Sequence, residues 1–314
     1  MIAWISFSVL VTIILFFDLG ILNKEPHRIS SKEAGRNTLI FFVIAMLMAV
    51  GIYFIYTYQL VGNPTLISPY EASLKFVTGY FVEFALSIDN IFVIALLFGK
   101  FMVPDKFQHK ILFWGIIGAV VFRLLMILFG VTLINNFTWT IYLFGGFLIF
   151  SGLKMLFEKE DIDNAETALE RWINKVLVIK KDIVSGRFFV KENGRRYATT
   201  LFLVLILVEF TDLIFALDSV PAIISITPDP FIVFTSNIMA ILGLRSLYFF
   251  LAAMLNKFSY LKYCLVVILV FIGVKMVLSH TVHLLEWLSL LVVIGSLVLG
   301  VIVSLMKTAT KSID

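Results

Sequence analysis

Long apolar segments, each about the length of a membrane-spanning helix, alternate along this chain with short polar segments. A helix needs about 20 consecutive, mostly apolar residues to cross a bilayer. Segments that meet this requirement lie at residues 2–22, 38–61, 74–98, 108–134, 138–158, 199–225, 231–255, 260–279 and 285–306. The pattern therefore predicts an all-α polytopic membrane protein with nine transmembrane helices.

The composition agrees with a membrane protein and narrows its partners. Hydrophobic residues make up 61% of the chain and charged residues only 15%, whereas a soluble domain has about 25% charged residues. The net charge of +4 could suggest a nucleic-acid partner, but the basic residues lie between the apolar segments, so we expect a lipid bilayer and no nucleic acid. The single cysteine, Cys264, excludes an intrachain disulfide framework or thiolate cluster. The first segment lacks the basic n-region and cleavage site of a signal peptide, and we expect it to be retained as a span.

Lysine and arginine are distributed asymmetrically between the predicted loops. Alternate loops, at residues 62–73, 135–138, 226–230 and 280–284, contain neither residue, and 20 of the 25 basic residues fall in the other loops and the C-terminal tail. Loops rich in Lys and Arg stay on the cytoplasmic side of a membrane. We therefore expect the N-terminus outside and the C-terminus in the cytoplasm.

The sequence contains an internal repeat. Residues 83–94 align without a gap with residues 212–223, and the following span of each copy contains one arginine, Arg123 or Arg245. The third span of each copy carries a Gly-x-Lys-Met motif, beginning at Gly152 or Gly273. Because each copy has three spans, an odd number, the second copy enters the membrane from the opposite side. This arrangement predicts an inverted repeat, which in secondary transporters places the substrate site near the midplane.

The repeat divides the chain into five parts. They are two flanking spans (1–73), repeat 1 (74–158), a cytoplasmic linker (159–198), repeat 2 (199–280), and a last span with a short cytoplasmic tail (281–314). Within the linker, Asn193 and Gly194 favour the two-residue turn of a β-hairpin. A docking or regulatory role for this hairpin and a purely connecting role both remain open.

The candidate site consists of polar residues inside the predicted spans. A charged residue at the centre of a span costs about 2.5–3.5 kcal/mol on insertion scales, and such residues usually act on a substrate or an ion. The candidate ion ligands are Glu83, Asp89, Asn90, Glu209, Asp212, Asp218 and Ser219.

Helical geometry distributes these residues over more than one face. Glu83, Ser87 and Asn90 share a helix face, whereas Asp89 and Asp218 lie about 120° round from the corresponding faces. Either two faces of each helix are polar or the helix is irregular. In the second copy Pro221 favours a helix break, with a possible gating role, because proline removes a backbone hydrogen bond.

Charge and ligand chemistry point to a cation. Five acids against Arg123 and Arg245 leave an excess of three negative charges inside the spans, which requires protons or cations. We expect the two arginines to pair with carboxylates, although binding of an anionic substrate is an alternative. None of the four histidines lies deep in a span. Carboxylate, amide and hydroxyl oxygens suit Mg²⁺, Ca²⁺ and Mn²⁺ better than Zn²⁺ or Cu²⁺.

The segments Glu83–Asn90 and Glu209–Ala222, with the Arg123 and Arg245 spans and the Gly-x-Lys-Met pair, resemble the TerC family of integral membrane proteins along nearly the whole chain. The resemblance implies export of Mn²⁺ from the cytoplasm by the acids named above, and a link to tellurite resistance. We therefore expect a Mn²⁺ exporter of the bacterial inner membrane, with Ca²⁺ and Fe²⁺ as further candidate cargoes. An oxyanion carrier is not expected to concentrate five acids in its spans, so the residues favour a cation.

Two other functions stay open. One is a proton or sodium antiporter in which the acids relay protons. The other is a membrane scaffold or biogenesis factor whose hairpin binds a protein partner. No P-loop motif is present, so transport would be secondary. No catalytic pairing at span depth is evident, and we expect neither enzymatic activity nor a cofactor.

Overall fold

A computed structural model gives the fold of most of the chain. It describes residues 2–20, 31–63, 66–137, 139–157, 179–180, 186–192, 195–252, 261–278 and 286–311. Within this part the side chain of Asp89 is not described.

The described chain is almost entirely helical. The helices are α1 (Ile2–Gly20), α2 (Ser31–Thr57), α3 (Pro69–Lys100), α4 (Asp105–Asn136), α5 (Trp139–Phe157), α6 (Thr200–Ile226), α7 (Pro230–Ala252), α8 (Leu261–Val277) and α9 (Glu286–Lys311). Among the described residues, seven helices are long and apolar enough to cross a membrane, and α1 and α8 contain the shorter apolar stretches Ile2–Phe16 and Tyr263–Val277. The prediction of an all-α polytopic membrane protein is confirmed, while the number of nine spans stays a prediction.

Local sequence signals fix where the two central helices begin. Before α3, the Ser68 hydroxyl accepts a hydrogen bond from the Glu71 backbone N–H at 3.2 Å, and the Glu71 carboxylate accepts one from the Ser68 N–H at 2.9 Å. This reciprocal capping box satisfies two N–H groups that a helix start leaves without partners. Before α7, the buried Asp229 carboxylate accepts hydrogen bonds from the backbone N–H of Phe231 and from the Tyr56 hydroxyl. The second bond ties α2 to the start of α7.

Helix α7 lies at the centre of the molecule. Its segment 231–248 is buried throughout, and α2, α3 and α4 all pack against it. Helix α6 packs against α3 and α4. Large apolar side chains are instead exposed on the outer helices, for example Leu47 on α2, Phe150 on α5 and Leu299 on α9. Such surfaces suit a lipid environment, and the polar residues of the spans are left to the interior.

Glycines explain the close packing of α5 against α8. A Cβ on Gly273 would lie 2.7 Å from the Gly145 carbonyl oxygen, and a Cβ on Gly152 would lie 3.1 Å from the Leu269 Cβ. Only glycine allows the two backbones to approach this closely, as at other small-residue helix contacts in membranes. The glycines of the two Gly-x-Lys-Met motifs therefore serve helix packing.

A small sheet precedes α6. Its strands are β1 (Ile179–Lys180), β2 (Phe189–Glu192) and β3 (Arg195–Thr199), in the order β1-β3-β2. Strands β2 and β3 pair antiparallel with Glu192 opposite Arg195, and β1 runs parallel to β3. Outside the described residues lie the predicted turn residues Asn193 and Gly194, between the two antiparallel strands, and the linker residues 159–178 and 181–185.

Candidate functional site

Helix α3 directs a carboxylate into the centre of the helix bundle. Glu83 is fully buried, with 0% of its surface exposed. Its Oε1 atom accepts a hydrogen bond from the Ser87 hydroxyl at 3.2 Å, one turn along the same helix. Asn90, two turns along, donates from Nδ2 to Asp212 Oδ1 on α6 at 2.8 Å. The predicted polar face of α3 thus points into the bundle, where Asn90 contacts α6.

Arg123 on α4 joins these acids. Its Nη1 atom forms a short ion pair with Glu83 Oε1, and its Nη2 atom lies 3.2 Å from Asp212 Oδ1. Nη1 also donates to the Ser219 hydroxyl at 3.1 Å. The arginine is 1% exposed, and a buried charge of this kind is tolerated only when it is paired and hydrogen-bonded. The predicted pairing of Arg123 with carboxylates is present in the structure.

Asn237 on α7 is a member of the network that the sequence reasoning missed. Its Nδ2 atom donates to Glu83 Oε2 at 3.0 Å, and its Oδ1 atom accepts from Arg123 Nη1 at 3.2 Å. The signal was the polar run Thr235-Ser236-Asn237 inside an otherwise apolar span. The repeat did not reveal Asn237, because the first copy has no polar residue at the corresponding position.

A small cavity lies beside Asp212. Its volume is about 20 Å³, and its polar lining consists of Asn90, Glu209, Asp212 and Arg245. Asn90 Oδ1 and Glu209 Oε2 are buried oxygen atoms without a hydrogen-bond partner among the described residues. Buried polar atoms are nearly always partnered, so two unpartnered oxygens on one cavity call for an explanation such as a bound ion or water.

The Glu209 carboxylate lies directly against the backbone of α4. A Cβ added to Gly118 would overlap with the carboxyl group of Glu209. Gly115, one turn earlier, also lines the cavity, but a Cβ there would meet only Val208 Cγ1, at 3.5 Å. Two glycines on one face of α4 therefore make room for the acid and for the cavity.

Asp218 lies apart from this centre. Its carboxylate accepts a hydrogen bond from the Ser151 hydroxyl on α5 at 2.8 Å. Both α3 and α6 are continuous helices, and α6 runs through Pro221. The expected helix break at Pro221 is therefore wrong for this conformation. The alternative expectation, that one helix has two polar faces, holds for α6, because Asp212 and Asp218 lie on two different faces of it.

The remaining predicted ligands do not form a compact acidic cluster. The side chain of Asp89 is outside the described part. Among the described residues, no group of three or more His, Cys, Asp or Glu side chains is arranged to hold a metal ion. An ion in the cavity would be held by a mixed set, the carboxylates of Glu209 and Asp212 and the amide oxygen of Asn90.

Comparison with known proteins gives a family and close relatives. The model of the integral membrane protein TerC family matches residues 68–312. A Myxococcus xanthus protein named uncharacterized membrane protein STKORF319 is 41% identical over 97% of this chain and 92% of its own length. An Escherichia coli K12 protein named "Putative membrane-bound redox modulator Alx" is 43% identical over 96% of this chain and 93% of its own length. No solved structure matches the chain.

Proposed function

The chain belongs to the TerC family of integral membrane proteins, and from this premise we propose that it is a secondary transporter that exports divalent cations, foremost Mn²⁺, from the bacterial cytoplasm. Ca²⁺ and Fe²⁺ are the other candidate cargoes. The observation that carries the proposal is the cavity beside Asp212, where Asn90 Oδ1 and Glu209 Oε2 have no partner among the described residues.

The chemistry of the cavity suits a hard cation. Its candidate ligand atoms are carboxylate and amide oxygens, which Mn²⁺ and Ca²⁺ accept and which Zn²⁺ and Cu²⁺ prefer less. If every group is ionised, Glu83, Glu209 and Asp212 outnumber Arg123 and Arg245 by one negative charge. This excess attracts a cation and opposes an oxyanion such as tellurite.

The size of the cavity limits what it can hold. A cavity needs about 10–15 Å³ to hold one water molecule, so about 20 Å³ admits one water or one bare ion. An ion bound there would exchange part of its water shell for protein oxygens. We assign this exchange to Asn90, Glu209 and Asp212.

The other predicted residues take supporting roles in the proposal. Arg123 holds Glu83 and Asp212 in place, with Ser219 as a further acceptor. Asp218, hydrogen-bonded to Ser151, and Asp89 are proposed to lie along the route of the ion.

Helix packing supports the inverted repeat. Helices α3, α4 and α5 of the first copy correspond to α6, α7 and α8 of the second. Helix α3 packs against α7, and its counterpart α6 packs against α4. The equivalent pairs α3–α6, α4–α7 and α5–α8 are also in contact. A pseudo-two-fold axis accounts for this exchange of partners, and rocking of the two copies would expose the cavity to each side in turn.

The topology completes the proposal. With the shorter apolar helices α1 and α8 counted as spans, the chain crosses the inner membrane nine times, with the N-terminus outside and the C-terminus in the cytoplasm. The arrangement of Lys and Arg in the loops supports this orientation. Without a P-loop motif, the driving force would come from a proton or sodium gradient.

The name of the Escherichia coli K12 relative refers to redox modulation. In this chain the only thiol is Cys264, which is buried in α8. Dithiol–disulfide exchange within one chain needs two cysteines. A change in cellular redox state through the manganese supply is compatible with the proposal and requires no thiol in the transporter.

Transport by the purified protein in liposomes tests the proposal. A Mn²⁺-sensitive dye inside the vesicles reports entry of Mn²⁺, with Ca²⁺, Fe²⁺ and Mg²⁺ as competitors and with proton or sodium gradients imposed or collapsed. We expect Mn²⁺ flux with the wild type and none with Asp212→Asn or Asp89→Asn. Absence of Mn²⁺ flux under every gradient, together with proton–sodium exchange that needs no metal, would replace the proposal with the antiporter alternative.

A further inference from the structure

The small sheet carries a basic and aromatic face. Side chains alternate between the two faces of a strand, and the pairing register places Phe189 opposite Ala198 and Lys191 opposite Arg196 on one face. Phe189 is 51% exposed, and both basic side chains are exposed as well. Like charges directly opposite each other destabilise a sheet, so a counter-charge would stabilise this face.

The counter-charge does not come from the described part of the protein. Neither Lys191 nor Arg196 makes a hydrogen bond or an ion pair within the described residues. Glu192, the acid of β2, lies on the opposite face, where its cross-strand neighbour is Arg195. The two charges are therefore open to a negatively charged group outside the described residues, such as a lipid phosphate.

The position of the sheet identifies the source of that group. Strand β3 ends at Thr199, and the membrane span α6 begins at Thr200 without an intervening residue. The Phe189 ring lies with its centroid 4.4 Å from that of Phe202 in the first turn of α6. The basic face therefore lies beside the end of a span, at the level where aromatic and basic side chains meet lipid headgroups.

Contacts with α4 hold the sheet at this level. Lys110 Nζ on α4 donates to the Gly186 carbonyl at 2.9 Å and lies 4.6 Å from the centroid of the Phe188 ring. The Thr199 hydroxyl donates to the Arg187 carbonyl at 2.7 Å. The segment before β2 is thus fixed to α4 while β3 continues into α6, so the sheet cannot move far from the bilayer surface.

We infer that the Phe189–Lys191–Arg196 face binds the phosphate headgroups of anionic phospholipids in the adjacent leaflet. Lys191 and Arg196 contact the phosphates, and Phe189 enters the boundary between headgroups and acyl chains. Attraction of basic residues to an anionic leaflet is short-ranged and roughly additive, so loss of both charges weakens binding about 30-fold. The sheet then clamps the cytoplasmic ends of α4 and α6, one helix from each repeat, to the lipid.

Titration of the purified full chain with a short-chain phosphatidylglycerol tests the inference, with the matching phosphatidylcholine as the neutral lipid. Hydrogen–deuterium exchange of residues 187–199 localises the binding. We expect phosphatidylglycerol, and not phosphatidylcholine, to slow exchange in β2. The double substitution Lys191→Gln/Arg196→Gln should weaken this effect about 30-fold. No metal is added, so the result is independent of the transport proposal.

The matched control is Lys100→Gln/Lys106→Gln, which removes two exposed basic side chains near the junction of α3 and α4 and leaves the sheet unchanged. It should change the lipid effect by less than about twofold. Equal losses in both double variants would overturn the inference, because they would indicate general charge attraction. Protection of β2 by an acidic peptide but not by phosphatidylglycerol would overturn it in favour of a protein partner.

Discussion

The two buried arginines occupy equivalent positions in the repeat but have different surroundings. On the Arg123 side, Glu83, Ser219 and Asn237 fill the space with hydrogen bonds. On the Arg245 side there is a cavity, with Glu209 in its wall. The residue eight positions before Arg245 is Asn237, whereas the residue eight positions before Arg123 is Gly115. The Asn237 amide thus accompanies a packed network, whereas Gly115, which has no side chain, accompanies a cavity.

Asp212 belongs to both sides. Its carboxylate accepts hydrogen bonds from Asn90 and Arg123, and it also lines the cavity. A fully satisfied polar network is rigid, whereas unpartnered oxygens beside it are available to a ligand. In the proposed transporter, the Arg123 side therefore stabilises the fold and the Arg245 side binds the ion. Substitutions that affect one property without the other test this division.

The largest effect on stability is expected for Glu83→Gln. The substitution leaves the buried Arg123 with one carboxylate partner fewer, and breaking a buried ion pair costs about 3–5 kcal/mol. Unfolding of the purified protein in detergent measures the loss. Glu71→Gln, in the exposed cap of the same helix, is the control and should cost much less. A loss below about 1 kcal/mol for Glu83→Gln would contradict the structural role of the Arg123 side.

Glu209→Gln should have the opposite profile. The Glu209 carboxylate accepts no hydrogen bond from the described residues, so the unfolding free energy should change by less than about 1 kcal/mol. Mn²⁺ flux in liposomes should fall at least about tenfold, because a carboxylate ligand of a hard cation is lost. Equal destabilisation by Glu83→Gln and Glu209→Gln would remove the distinction between the two sides.

The sequence predicted the components of this centre better than their arrangement. Apolar segments of span length gave the helices because every backbone group in lipid must be paired internally. The repeat selected Glu83, Asp212 and both arginines. Helical period alone could not decide which face of α6 meets α3 and which meets α5, so Asp218 was grouped with Asp212.

The missed residues have a common physical origin. Asn237 and Gly118 act through contacts between helices that are distant in sequence, with Glu83 and Glu209 respectively. No local periodicity reports such contacts. A glycine in a helix is also ambiguous in sequence, because it marks close approach of a neighbour only when the neighbour is known.

Gly118→Ala tests the cavity from the α4 side. The new Cβ overlaps with the Glu209 carboxyl group, which must move out of the cavity wall. We expect Mn²⁺ affinity to fall about five- to tenfold, an effect of about 1 kcal/mol. Gly146→Ala is the matched control, because nothing lies within 4 Å of a Cβ there. The shorter acid in Gly118→Ala/Glu209→Asp should restore part of the affinity, and failure of both expectations would place ion binding elsewhere.

The smallest effect is expected for Gly115→Ser, which makes the Arg245 side more like the Arg123 side. A Cβ at this position meets Val208 Cγ1 at 3.5 Å, an ordinary contact, so the fold should be unchanged. The added hydroxyl enters the cavity and competes with an ion for Glu209 and Asp212, which should weaken Mn²⁺ binding about two- to threefold. Gly115→Ala, without the hydroxyl, should weaken it less. If the serine variant binds Mn²⁺ as tightly as the wild type, the cavity is not the binding site, and the difference between the two arginines concerns packing alone.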